Sequence, residues 1–210
     1  MYLELTNACN MRCEHCCMNA VKHTGRAARY MSREVIEAAY KLASEFGEDI
    51  TLGGGEPTLH PDFAFALGIA MLHAGDLGVL CITNGSNAHI TERMLHLSDP
   101  EGMFHCEVSE DWFHDRTLVE DRIYLLATKK KMIRNTSRHV IAQGRGRNLS
   151  EEIACVCQTA HVSWDGTVHL CGCRRKKDRL GNVLTDFDLI VDKINDLGGY
   201  ECNGRRIIRS

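Results

Sequence analysis

The run Leu3-Glu4-Leu5-Thr6-Asn7-Ala8-Cys9-Asn10-Met11-Arg12-Cys13-Glu14-His15-Cys16 constrains this chain more than any other. A strand-like apolar stretch delivers three cysteines at C-x3-C-x2-C spacing, close enough for one loop to wrap three thiolates around a single centre. A structural metal site is closed by four protein ligands, whereas a site with three keeps a position open for chemistry. A cuboidal iron–sulfur cluster on three cysteines likewise leaves one iron for a substrate or cofactor. These residues alone also allow a zinc loop in which Cys17 or His15 supplies the fourth ligand.

Eleven cysteines occur among 210 residues, most of them in two clusters, one towards each end. An odd count, with no basic flank leading into an apolar N-terminal stretch, argues for metal ligation rather than a disulfide framework. Cys81 and Cys106 sit inside apolar runs and read as small core residues. The net charge of −3 offers no global attraction to nucleic acid or anionic lipid. No apolar run approaches the ~18 residues of a membrane span, so the chain reads as cytoplasmic with no membrane partner.

Apolar β-type runs alternate with helical patterns, which favours an α/β fold with a parallel sheet. Strands are expected near Tyr2–Thr6, Ile50–Leu52, Val79–Thr83, Phe104–Ser109 and His139–Ala142. Between them, Ser32 caps a helix whose Val35, Ile36, Ala39, Leu42 and Ala43 recur at helical spacing up to Gly47. Further helices are expected over Pro61–Leu72, Thr91–Leu97, Val119–Lys130 and Phe187–Leu197. Val162–Leu170 reads as a hairpin turning at Asp165-Gly166. The character changes near residue 150, which suggests a main domain over 1–150 and a small extension over 151–210. Strands ending after Thr6, Leu52, Thr83 and Ser109 run into polar or glycine-rich turns, and in parallel α/β proteins that edge is where sites are built.

The cysteine loop, which follows a first strand and is flanked by Asn10 and Arg12, resembles the cluster-binding loop of the radical S-adenosylmethionine (radical SAM) superfamily. The resemblance implies a partial (β/α) barrel of about five or six parallel strands; spacing alone would equally allow an open doubly wound sheet. It implies a [4Fe–4S] cluster on Cys9, Cys13 and Cys16, with S-adenosylmethionine (SAM) on the open iron. His15 stands where many relatives carry an aromatic residue beside the adenine. Gly54-Gly55-Glu56-Pro57, at the end of the second strand, resembles the motif that holds the SAM amino group. Thr83-Asn84-Gly85 resembles the third-strand end, with Asn84 facing the cofactor. Ser109 and Asp111 lie where relatives place groups against the ribose hydroxyls. Arg145 follows the fifth strand, where relatives often carry a cofactor- or substrate-facing arginine.

Cys155, Cys157, Cys171 and Cys173 form the second cluster, and the Cys155…Gly166…Cys171 spacing followed by Leu180-Gly181-Asn182-Val183 resembles the SPASM and Twitch extensions. A short Twitch-like module with a second [4Fe–4S] cluster fits the number of cysteines, and two C-x-C pairs could equally make tetrahedral zinc, with Cys202 a possible substitute ligand. The implied function is reductive cleavage of SAM to a 5′-deoxyadenosyl radical that takes a hydrogen from the substrate, with electrons from a reductant such as flavodoxin or ferredoxin. A peptide, a nucleoside or a small metabolite are the substrate classes. Lys129-Lys130-Lys131 and Arg174 to Lys177 could contact nucleic-acid phosphates, but 28 acidic residues in the chain disfavour that partner. The contrasting reading is a non-catalytic iron–sulfur or zinc protein. Gly54-Gly55-Glu56 weighs against it, since metal storage has no need of an ammonium-binding carboxylate.

Overall fold

The computed structural model describes residues 1–73, 78–99, 102–135, 144–148, 159–172, 174, 176–196, 200–202 and 205–207. In chain order the elements are β1 (Tyr2–Thr6), β2 (Ala8–Cys9), β3 (Val21–Lys22), α1 (Arg33–Glu45), β4 (Ile50–Gly54), α2 (Phe63–His73), β5 (Val79–Thr83), α3 (Ala88–Leu97) and β6 (Phe104–Ser109). There follow α4 (Asp121–Lys129), β7 (Ile133–Arg134), β8 (His161–Val162), β9 (Thr167–His169), β10 (Arg179–Asn182), α5 (Phe187–Asn195), β11 (Tyr200–Cys202) and β12 (Arg205–Ile207). Short 3-10 turns lie at Pro57–Leu59, Arg116–Leu118, Gly144–Asn148 and Lys176–Asp178.

One eight-stranded sheet dominates, in the order β10-β9-β8-β1-β4-β5-β6-β7. The pairs β8–β1, β1–β4, β4–β5, β5–β6 and β6–β7 are all parallel, and at one side β9 pairs antiparallel with both β8 and β10. This is the partial-barrel arrangement the resemblance implied. Strand β1 sits at its centre because both of its faces can be buried: Leu3, Leu5 and Glu4 are all wholly inaccessible.

The helices form for reasons visible in the chain. Ser32 accepts from Val35 N at the start of α1, and Val35, Ile36, Ala39, Tyr40, Leu42 and Ala43 make its buried stripe. Tyr40 donates its hydroxyl to Ala66 O at 2.7 Å and so ties α1 to α2. Leu3, Leu5, Ile50, Leu52, Val79, Cys81, Phe104 and Cys106 belong to the same apolar core as these helices, which makes Cys81 and Cys106 core residues as read.

Two departures from the sequence reading concern the later strands. The strand expected at His139–Ala142 lies outside the described residues, and the strand that follows α4 is β7, at Ile133–Arg134. The hairpin is present as β8 and β9, yet its first strand joins the main sheet beside β1. The sheet therefore continues on both sides of the division near residue 150, which itself falls outside the described residues.

Candidate metal and cofactor site

The cysteine loop leaves the C-terminal end of β1 and is closed at its base by β2 pairing with β3. Val21 N donates to Asn7 O at 2.8 Å and His23 N to Cys9 O at 3.0 Å, so the chain returns beside its own departure point. Cys9, Cys13 and Cys16 lie within this closed loop, the first buried and the other two half-buried. Backbone amides already point at two of the sulfurs: Met11 N to Cys9 Sγ at 3.3 Å and Ala20 N to Cys16 Sγ at 3.5 Å. Burial pushes the Cys9 thiol up to about 12 and the Cys13 thiol up to about 11, values a bound metal would reverse by holding the thiolate. Three soft donors on one loop, with amides aimed at the sulfurs, fit an iron–sulfur cluster.

The Gly54-Gly55-Glu56 turn at the end of β4 packs straight onto the entry to this loop. Gly55 N donates to Thr6 O at 2.7 Å and Glu56 N to Ala8 O at 2.8 Å. A Cβ on Gly55 would overlap the Ala8 carbonyl oxygen, and Gly54 adopts φ +138, a conformation glycine alone takes readily. Glu56 is completely buried. Its Oε1 accepts from Thr58 N (3.1 Å), Thr58 Oγ1 (2.6 Å) and Thr83 Oγ1 (2.7 Å), while Oε2 accepts from Asn84 N (2.7 Å). Burial raises its pKa in spite of these four donors, each of which favours the ionised form. The carboxylate thus locks the ends of β4 and β5 together, and Oε2, with a single donor, is the oxygen with capacity to accept another.

Asn84 reaches the cysteine loop itself. Its Nδ2 lies 3.6 Å from Cys9 Sγ and 3.0 Å from Asn10 Oδ1, and its own Oδ1 accepts from Ser86. Buried Ser109 ends β6 and leads into Asp111, which orients His114 through a 2.8 Å contact from Oδ1 to Nδ1 and faces His15 Nε2 at 3.6 Å from Oδ2. The His15 ring stacks on Phe113 at 4.6 Å between centroids and meets His114 edge-on. Burial holds His15 below its ordinary pKa, so the ring is neutral at pH 7. Ligand-type atoms of His15, Asp111 and His114 fall within 4.8 Å of one another, but the 2.8 Å spacing is that of a hydrogen bond, so Asp111 anchors the His114 imidazole and faces that of His15.

Arg145 is brought to the loop and spends its donors there: Nε on Cys13 O at 2.9 Å, Nη1 on Ala20 O at 2.6 Å, and its backbone N on Cys16 O at 3.0 Å. Any Cβ at Gly144 would collide with the carbonyl oxygens of Cys16 and Cys17. The 144–148 turn therefore clasps the cysteine loop. Of the C-terminal cysteines, Cys171 is buried, while Cys155, Cys157 and Cys173 lie outside the described residues, as does the Cys202 side chain. Thr58, Phe113 and His114 take part in or beside the site without having been singled out, while Thr83, noted only as part of a strand-end motif, donates to Glu56, and Arg174, noted as a phosphate contact, donates to Met18 O. For Phe113 and His114 the available signal was an aromatic-rich run immediately after a strand end.

Comparison with known proteins places this geometry. Residues 3–151 match the Radical SAM superfamily. A GTP 3′,8-cyclase of Actinobacillus pleuropneumoniae serotype 3 (strain JL03) is 29% identical over 110 residues, 52% of this chain and 32% of that protein. The mycofactocin maturase MftC of Mycobacterium tuberculosis (strain ATCC 25618 / H37Rv) is 34% identical over 83 residues, 39% of this chain and 20% of that one. The matched stretch spans a third or less of each of these relatives. Among solved structures, BtrN in complex with AdoMet and 2-DOIA superposes with a TM-score of 0.62 at 19% identity, covering 92% of this chain and 84% of that one. The AdoMet-bound anSMEcpe superposes with a TM-score of 0.57 at 16% identity, covering 91% and 77%. These structures share the fold, and with a family match over well more than half its length the chain belongs to the radical SAM superfamily.

Proposed function

We propose that this chain is a SAM-cleaving radical enzyme in which Cys9, Cys13 and Cys16 hold a [4Fe–4S] cluster and the ends of β1, β4, β5 and β6 hold SAM. The observation that carries the reading is the lock between the three-cysteine loop and the Gly54-Gly55-Glu56 turn, with Asn84 touching both Cys9 Sγ and the turn's carboxylate. When bound, a reduced cluster and SAM supply the 5′-deoxyadenosyl radical that abstracts hydrogen from the substrate. The protein's part is orientation. The backbone around Gly54 and Gly55 and the Oε2 of Glu56 receive the methionine ammonium, Ser109 and Asp111 the ribose hydroxyls, and His15, steadied on Phe113, borders the adenine. Arg145 holds the loop's carbonyls so that the three sulfurs keep their positions.

The same reading gives the C-terminal cysteines, Cys155, Cys157, Cys171 and Cys173, a second [4Fe–4S] cluster. Supporting it, Arg174, three residues after Cys171, donates Nη2 to Met18 O at 3.2 Å, which brings that segment against the first loop. The electron donor is a small cytoplasmic redox protein of the flavodoxin or ferredoxin kind, and the substrate is a peptide or a nucleoside; the relatives named for GTP and for mycofactocin fall on those two sides. Among the described residues, no helix is long and apolar enough to cross a membrane.

The test is anaerobic reconstitution with iron and sulfide, then SAM and dithionite. Wild type is expected to form 5′-deoxyadenosine, and Cys9→Ala, Cys13→Ala or Cys16→Ala to form none. A verified cluster that yields no 5′-deoxyadenosine overturns the reading. In the same preparations, Cys155→Ala/Cys171→Ala is expected to carry less iron than wild type, and equal iron removes the second cluster.

A further inference from the structure

The face of β1 opposite the helices carries a group that the site at its C-terminal end does not use. Alternation sends Leu3 and Leu5 into the helix-packed core and puts Tyr2, Glu4 and Thr6 on the other face. Glu4 is completely inaccessible to solvent. Its Oε2 is contacted by His161 Nε2 of β8 at 3.3 Å and by Arg174 Nη1 at 2.9 Å, and the Tyr2 ring stacks on His161 at 5.1 Å and 13°. Its Oε1 is equally buried and, among the described residues, has no hydrogen-bond partner. A buried carboxylate oxygen left unmatched is costly, and such a group calls for a ligand, an ion or an ordered water.

Charge narrows what fits. Arg174 already supplies one full positive charge to Glu4, and burial holds His161 below its ordinary pKa, so the imidazole adds none. A second cation would leave the cluster with a buried net charge and would face the guanidinium; a neutral donor completes the carboxylate without changing the balance. Location narrows it further. Arg174 takes φ +47, uncommon for a non-glycine residue, and with Nη2 on Met18 O it places this carboxylate beside the cysteine loop.

We propose that Glu4 is a substrate-binding residue whose Oε1 accepts a hydrogen bond from a neutral hydroxyl or N–H donor, with Arg174 and His161 holding the carboxylate in register. The assignment rests on the radical SAM reading, which puts the substrate on this face of the sheet near the cluster. The donor would come from a nucleobase or ribose edge of a nucleoside, or from an amide or side-chain hydroxyl of a peptide.

The experiment is crystallographic and uses the reconstituted protein with SAM and no reductant, soaked separately with guanosine and with N-acetylserinamide. A donor atom of one compound within hydrogen-bond distance of Glu4 Oε1 is the expected result, and which compound it is separates the nucleoside from the peptide source. In solution, saturation-transfer NMR should show Glu4→Gln binding that compound about tenfold more weakly. Arg174 claims the new carbonyl and turns the amide NH2 towards the ligand, donor against donor. An ordered water on Oε1 with neither compound present overturns the proposal, as does equal binding by wild type and Glu4→Gln; if the variant does not fold, the soak decides alone. Cleavage of SAM without added substrate is a separate readout, so a chain that forms 5′-deoxyadenosine yet leaves only water on Glu4 loses this assignment and keeps the superfamily reading.

Discussion

At Asn84 the backbone and side chain act on different neighbours. The amide N–H satisfies Glu56 while the side chain reaches Cys9 Sγ and Asn10, so one residue couples the carboxylate of one strand end to the first cysteine of the loop. Gly55 shows how little slack that arrangement has. Gly55→Ala must displace the Ala8 carbonyl, which lies one residue before Cys9, and overpacking against backbone costs about 1–3 kcal/mol. Urea unfolding is expected to show that loss, together with lower iron content after reconstitution; an unchanged midpoint and full iron loading would contradict the close packing. At this scale the grouping of Cys9, Cys13 and Cys16 was legible because residues on one short loop need no tertiary information to be brought together. The donors to Glu56 were not, because Thr83 and Asn84 lie 27 and 28 residues further along the chain.

Elements are joined to the site through short turns, and His60 is the clearest case. It follows the turn after β4, accepts Asp62 N on Nδ1 at 3.0 Å, and so donates Nε2–H to Met31 O at 2.8 Å, docking the lead-in to α1 onto the end of β4. Acceptance at Nδ1 requires the neutral ring, whereas Nε2–H can donate from either form, and burial holds the pKa below the ordinary 6.5. As pH falls through that value the unfolded chain takes up the proton first, so the stabilisation present above it is lost on the acid side. Glu56, raised by burial, slopes the opposite way, so the informative quantity is the difference between proteins. Comparing unfolding midpoints at about pH 7.5 and about pH 5.5, His60→Gln should lose less stability than wild type on acidification. An identical loss in both would show that His60 stays outside the titration. The strands Tyr2–Thr6, Val79–Thr83 and Phe104–Ser109 were legible to the residue because each is an apolar run bounded by turn residues. The partner of the hairpin was not: β8 is two residues long, and β1, its parallel neighbour, lies at the other end of the chain.

Across the whole molecule, separate segments converge on one loop. The turns after β4 and β5, the 111–114 run after β6, the 144–148 turn and Arg174 all contact residues between Thr6 and Ala20. Arg145 is the most exposed test of that convergence, since its side chain bonds only loop carbonyls in the described residues. Arg145→Lys keeps the charge and loses the fork, and groups that support metal ligands commonly cost about tenfold or more in metal affinity. Iron retained against a chelator should fall by about that factor while the unfolding midpoint of the sheet holds. Undiminished iron retention would mean that the loop keeps its shape unaided. The sequence by itself determined the grouping of the three cysteines, the alternation of strands and helices and the glycine turn, because each is a matter of spacing within a few residues. Tertiary structure alone decided that Glu56 is a junction between strands, that Arg145 clasps the loop, and that Glu4, a single charge in an apolar strand, meets His161 and Arg174 across the sheet. Hydrogen bonds and ion pairs reach only about 3 Å, so what they join depends on which distant segments the packed core brings into contact.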